Sequence, residues 1–274
     1  MRHAVLVIGY GKKADVLQQT IRILDDKDIN FFIHWDARYN IPMLNAEFSS
    51  IFFMKDRISV KWGSDSLIKV TLRLLYLIKD EKYDYIHLIS SNDIPLMTKG
   101  YFKNYFTKEA YIGFVSNEKE KELKKRISYW YPSNVDFRKH DFIFKFFLGV
   151  NKIFRINRLK KFPNISVNKG TEWFSIKKKY IKEILDYNTD IFLHGYCADE
   201  IIMPTIFSKF KKEQINISQD DCVQALRYID WKRGTPYTFN IDDVNELKEK
   251  VNTRYAFARK VIDKNVPVKI FNYK

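Results

Sequence analysis

The sequence predicts an α/β fold with a mostly parallel central sheet covered by helices. Three observations predict it. Apolar strand-like runs and helix-periodic runs alternate through the first 95 residues. Their order is β-α-β-β-α-β, the order of a parallel sheet whose crossovers are helices. Polar and acidic residues close the second and fourth of these strands, at the ends where open α/β sheets hold ligands.

Each element has its own reason. "HAVLVIGY" (3–10) is a short buried strand, and "GYGKK" is the turn that leaves it. That turn is too short for a dinucleotide fingerprint or a P-loop. "KKADVLQQTIRILDD" has helical apolar spacing at Val16, Leu17, Ile21 and Leu24. "INFFIHWD" is a strand ending on Asp36, and "SSIFFM" is a third strand. "SDSLIKVTLRLLYLIKD" is a helix with Ser64 or Asp65 as its expected N-cap. "YDYIHLISSNDIP" is a strand running into a polar loop closed by Pro95. Beyond it, "YIGFVS", "GTEWFSI" and "LRYIDW" read as strands. "KKKYIKEILDYN" and "HGYCADEIIMPTIF" (194–207) read as helices, and 117–126 as a charged helix or loop. No repeat, low-complexity tract or linker interrupts the chain, so one domain over 1–274 is expected.

The composition narrows the function. The chain has 274 residues, 46% hydrophobic and 16% aromatic, which supports a full core and argues against disorder. Its two cysteines, Cys197 and Cys222, make neither a disulfide framework nor a metal-ligand spacing, so a reducing compartment is expected. No signal-peptide anatomy is evident, and no apolar stretch approaches the roughly 20 residues of a membrane span. A soluble or peripheral cytoplasmic protein follows. The net charge of +15 calls for a polyanionic partner: nucleic acid, an anionic membrane or a phosphorylated ligand. The five histidines are scattered without ligand spacing, and no GxSxG elbow occurs.

The acidic pair Asp199-Glu200 stands before an apolar run in a basic chain. Asp199 is expected to cap a helix, with Glu200 in its first turn, where the helix dipole favours negative charge. Asp36 is either a turn acid or an acceptor for a ribose or base. "SSND" is either an ordinary turn or a polar ligand loop.

In chain order, "IHWD", "VKWGSDSL", "YDYIHLISSNDIP", "KGTEWFSI", "ADEIIMPTI", "RYIDW" and "YAFARK" resemble the core-2/I-branching glycosyltransferases, glycosyltransferase family 14. The resemblance spans residues 3 to 263, and the short chain looks like a bacterial member. It implies a GT-A fold and inverting transfer from a UDP-sugar to a glycan hydroxyl. It also implies that no divalent metal is needed, because "SSND" stands where a DxD motif would be. By the same resemblance Glu200 is the catalytic base, Asp36 contacts the uridine and Asp93 lies near the donor sugar. Lys260 touches the diphosphate. A second phosphate contact falls near Gly234, which makes Arg233 a candidate and Arg254 or Arg259 the alternatives. Trp62, Glu172, Trp173 and Asp199 are expected on the acceptor or sugar side.

Chemistry supports these roles. Inverting transfer needs one carboxylate to take the acceptor proton. Without a metal, fixed Lys and Arg must oppose the charge of the departing diphosphate. Expected partners are a UDP-sugar and a glycan or lipid-linked oligosaccharide acceptor, with no nucleic acid. UDP-GlcNAc, UDP-galactofuranose, UDP-galactose and UDP-xylose all remain open as donors. So does a non-catalytic basic membrane-binding protein on the same fold. Within the variable stretch 117–168, "FRKHDFIFKFFLGVNKIFRINRLKKF" (137–162) mixes aromatics with Lys and Arg. It reads either as a surface helix completing the core or as an amphipathic element on anionic lipid. In the second reading Phe142, Ile143, Phe146, Phe147 and Val150 form the apolar face.

Overall fold

A computed structural model describes residues 1–117, 119–163 and 165–272. Four strands of the main sheet come from the first 90 residues: β1 (His3–Gly9), β2 (Ile29–Trp35), β3 (Ile51–Phe53) and β4 (Tyr85–Ser90). They run parallel in the order β3-β2-β1-β4. The crossover from β1 to β2 is helix α1 (Asp15–Leu24), and the one from β3 to β4 is α2 (Ser66–Leu77). Every residue of β1, β2 and β4 is buried, as strands covered on both faces must be. Val16, Leu17, Ile21 and Leu24 of α1 are buried at the expected helical spacing.

β5 (Asp93–Pro95) follows β4 but leaves the main sheet, so the expected polar loop ends in a strand. After α3 (Lys99–Tyr105), β6 (Ala110–Tyr111) and β7 (Ser175–Lys177) extend the main sheet with antiparallel pairings. β5 pairs instead with β9 (Phe257–Arg259), which pairs with β8 (Arg227–Ile229). The sequence reads "LRYIDW", which holds β8, as a strand but predicts no second sheet, because which strands pair is set by segments far apart in the chain. "YIGFVS" (111–116) and "GTEWFSI" (170–176) reach strand only where β6 ends, at Tyr111, and where β7 begins, at Ser175 and Ile176. Their remaining residues are buried chain without a ladder over 112–114 and 173–174. Helices α4 (Glu120–Ser128), α5 (Asp141–Ile153), α6 (Ile181–Asp186) and α7 (Asp199–Ile206) lie between β6 and β8.

The two sheets meet on Arg227. This fully buried residue donates to the carbonyls of Ala225 at 2.7 Å, Phe174 at 2.9 Å and Leu88 at 3.1 Å, and its guanidinium lies 4.9 Å from the Phe257 ring centre. It ties the small sheet to β4 and to the chain entering β7, its buried donors taken up by backbone carbonyls. The C-terminal ends of β1, β2 and β4 therefore open beside β5 and β9.

Two expected caps are absent. Asp65 holds the N-cap position of α2 but caps nothing. Its buried carboxylate accepts the Ser133 hydroxyl at 2.8 Å and the His194 N–H at 3.0 Å, and pairs with Lys69 at 3.0 Å. Ser64 bonds the Lys61 carbonyl and Ser66 instead. At α7 the N-cap is Ala198, and Asp199 is the first helical residue with no capping bond.

Candidate active site

Asp93 sits at the junction of the sheets, fully buried. Its Oδ2 accepts the Ser90 N–H at 2.8 Å, and its Oδ1 accepts the Ser90 hydroxyl at 2.8 Å and Arg259 Nη1 at 2.8 Å. The pairing is written into the backbone, because Asp93 and Arg259 are register partners across β5 and β9. Arg259 also donates to Ser90 Oγ, and its guanidinium lies over Trp173 at 4.4 Å. Trp173 is buried, so the stack fixes the plane of the guanidinium. Burial would lower the Arg259 guanidinium, but Asp93 and Glu172 outweigh it and push it up. Lys260 follows directly. It is half-buried, with no ion pair among the described residues, and the neighbouring Val261 N–H bonds the Asn92 carbonyl at 2.9 Å. The "SSND" loop and "FARK" are thus one structure.

Glu200 lies in the first turn of α7 and is 39% exposed. Arg126 Nη2 reaches its Oε2 at 2.9 Å, and Lys169 Nζ stands 4.0 Å from the same oxygen. Glu200 Oε1 accepts no hydrogen bond from the described residues. Arg126 is anchored by the carbonyls of Cys197 at 2.6 Å and Tyr196 at 3.1 Å. Burial would lower the Arg126 guanidinium, but the charge of Glu200 outweighs it and pushes it up. Gly170 donates its N–H to the Glu200 carbonyl at 2.9 Å. A Cβ at Gly170 would collide with the carbonyl of Gly113, so only glycine allows the close approach of these two chain segments beside Lys169. A polar recess beside Lys169 is lined by Ser116, Asn168 and Lys211.

Glu172 and Asp199 join the two ends of the site. Burial raises the Glu172 carboxyl well above the ordinary range, and Asp199 beside it adds to the shift. Burial also raises Asp199. Asp199 Oδ1 is sealed from solvent with no donor in reach, so the proton held by Glu172 is its natural partner. This explains why Asp199 does not cap α7: its carboxyl is turned toward Glu172.

The fold binds proton to Glu172 that the unfolded chain releases near pH 4. Stability from this pair is therefore full below the unfolded value and falls as pH rises toward the raised folded value. Glu172→Gln removes that loss. Urea denaturation at pH 5 and pH 8 should show the variant gaining on wild type as pH rises. Parallel pH dependences in the two proteins would refute a shared proton.

The other predicted residues are spread out. Asp36 is fully buried at the end of β2. It holds Arg38 through two side-chain bonds of 3.0 and 2.7 Å, and accepts the Val60 N–H at 3.0 Å. Burial would raise its carboxyl, but the bonds from Arg38 and Val60 hold it below the ordinary value. Arg233 is committed to Asp230, to Asp243 at 2.9 Å and to Glu246 at 2.7 Å. Arg254 is exposed. One face of Trp62 is covered by Arg138 at 4.6 Å, and its edge meets Tyr196 at 6.2 Å between ring centres. Arg38, Arg126 and Lys169 were missed from sequence. Arg38 had a signal, two residues after a strand-end acid on a turn. Arg126 had none, because nothing in "KELKKRIS" sets it apart from its neighbours.

Among the described residues one cluster, Asp220, Asp221 and Cys222, has three ligand atoms within 4.8 Å of one another. Asp220 is already bonded to the N–H groups of Cys222 and Val223, and burial pushes the Cys222 thiol up, against the thiolate a metal would take.

A mostly parallel α/β sheet with polar residues gathered at its strand ends, facing a carboxylate on a helix N-terminus, defines a GT-A-like glycosyltransferase domain. The chain belongs to the family described as Core-2/I-Branching enzyme, whose model matches residues 4–251. Members use nucleotide-sugar donors and glycan acceptors. No curated protein matches the chain.

Proposed function

We propose that this protein is an inverting, metal-independent transferase that moves a hexosyl or N-acetylglucosaminyl group from a UDP-sugar to a glycan or lipid-linked oligosaccharide. The observation that carries the reading is the state of Glu200. Its Oε2 is pinned by Arg126, while Oε1 takes no bond from the described residues and the side chain is reachable from solvent. That is the arrangement of an oriented base with one oxygen free for an incoming hydroxyl. As the acceptor oxygen bonds to the anomeric carbon, the sugar–phosphate bond breaks. Glu200 takes the hydroxyl proton, and UDP leaves with the bonding pair.

Arg259 and Lys260 support the leaving-group side. Arg259 is held rigid by Asp93 and Trp173, and preorganised charge stabilises a departing diphosphate without reorganisation. Arg233 is the weaker second contact, because three carboxylates already occupy its guanidinium. Asp36 would serve uridine by rigidifying the end of β2 and through its Arg38 partner. The bacterial polysaccharide setting is part of this proposal.

Incubation with a panel of UDP-sugars and glycan acceptors should show transfer that persists in EDTA. Transfer that stops on chelation and returns with Mn²⁺ would refute the metal-free mechanism. Calorimetry with UDP separates this reading from a basic binding protein that lost catalysis, which would bind none.

A further inference from the structure

We propose that the outward face of α5, with the basic residues that follow it, docks the protein on an anionic lipid surface. No helix among the described residues is long and apolar enough to cross a membrane, so attachment would be peripheral. The inward face of α5 is accounted for. Phe144 lies 4.4 Å from Tyr196 and 5.6 Å from Tyr131, and Phe147 lies 5.6 Å from Trp130. Asn151, fully buried, bonds the Trp130 N–H and carbonyl at 2.8 Å each. The outward face has no such partner. Phe142 is 71% exposed, Phe146 63%, Ile153 77% and Phe154 73%.

Phe142, Phe146, Gly149 and Ile153 follow the helical repeat and form one stripe, along a helix about 20 Å long. The structure thus redraws the face expected from sequence: Phe142 and Phe146 point out, while Ile143, Phe147 and Val150 are half-buried. It also sorts the charges. Lys145 pairs with Asp141 at 2.6 Å, and Arg158 turns in to the Asp190 carbonyl at 2.5 Å. Lys152, Arg155, Lys160 and Lys161 are exposed and make no ion pair among the described residues.

Aromatics flanked by unpaired lysine and arginine suit the boundary between headgroups and acyl chains. The net charge of +15 adds long-range attraction to an anionic leaflet. The same charge opposes a second copy as the occupant, because a two-fold contact would bring identical basic flanks together. The surface is one layer from the site: Phe144 packs on Tyr196, whose carbonyl holds the Arg126 that orients Glu200. Docking here would bring Glu200 near a lipid-linked acceptor. Only this placement rests on the transferase reading; the binding does not.

Flotation with phosphatidylglycerol and phosphatidylcholine vesicles tests the proposal. The full chain should float with the anionic vesicles at low salt, less with the neutral ones, and partly detach in about 0.5 M salt. Each basic residue near an anionic leaflet adds roughly fivefold to binding. A variant carrying Lys152→Gln, Arg155→Gln, Lys160→Gln and Lys161→Gln should therefore lose about a hundredfold or more. A second variant with Phe142→Ser, Phe146→Ser, Ile153→Ser and Phe154→Ser should lose binding to both vesicle types. Unchanged UDP binding in both variants would show that they remain folded. If the wild type floats but binds no UDP, the transferase reading fails and this one stands. Three results would overturn it: no flotation with anionic vesicles at low salt, flotation undiminished in both variants, or a lipid-indifferent dimer that the serine variant dissolves.

Discussion

Glu200→Gln abolishes sugar transfer, with the rate falling by about 10² to 10⁴, while UDP affinity stays at the wild-type value. The amide carbonyl can still accept the Arg126 bond, so the side chain keeps its place. What disappears is the ability of the free oxygen to take a proton as the acceptor attacks. The UDP contacts proposed above lie on β9 and the loop after β4, away from Glu200, so calorimetry should register no difference. Glu200→Ala would remove the Arg126 partner as well, and is the less informative change. Turnover within a few-fold of wild type in Glu200→Gln would remove Glu200 from the base role.

Arg259→Ala should damage both stability and donor binding. Its guanidinium is the charge partner of fully buried Asp93, and removing one member of a buried pair costs about 3–5 kcal/mol. The variant also loses the cation stacked on Trp173, so UDP binding should fall far more than uridine binding. Adding Asp93→Asn to Arg259→Ala should return much of the lost stability, because no buried charge is then unpaired. It should not return UDP affinity. Urea denaturation and calorimetry on the single and double variants separate the two effects. An equal loss for UDP and uridine would place Arg259 away from the diphosphate.

The first half of the main sheet was legible in the sequence because its signals are local. β1, β2 and β4 are short apolar runs, α1 and α2 carry their period in adjacent turns, and acids stand at the strand ends. In the second half the strands at "YIGFVS", "GTEWFSI" and "LRYIDW" were legible, but their short extent, β9 and the division into two sheets were not. β8 and β9 are three residues each, too short for alternation to show, and their ladder exists because β9 lies between β5 and β8 and pairs with both. The capping roles given to Asp65 and Asp199 failed for a related reason. A capping pattern is read from neighbours, but their carboxyls were claimed by Ser133, His194 and Glu172 from distant segments.

The sequence by itself determined that the chain is a basic α/β protein and which residues form the first strands and helices, and the resemblance of its ordered motifs to the core-2/I-branching family pointed to Glu200, Asp93 and Lys260. Apolar periodicity and residue order are properties of neighbours along the chain, so no folding was needed to see them. Only the tertiary structure decided how these residues are used. Arg126 meets Glu200 across 74 positions of sequence, and Arg259 meets Asp93 across 166. The reason is physical. A side chain's charge partner is set by where β5, β9 and α7 cross in space, and Coulomb attraction inside a buried site depends on that distance and on the water excluded around it.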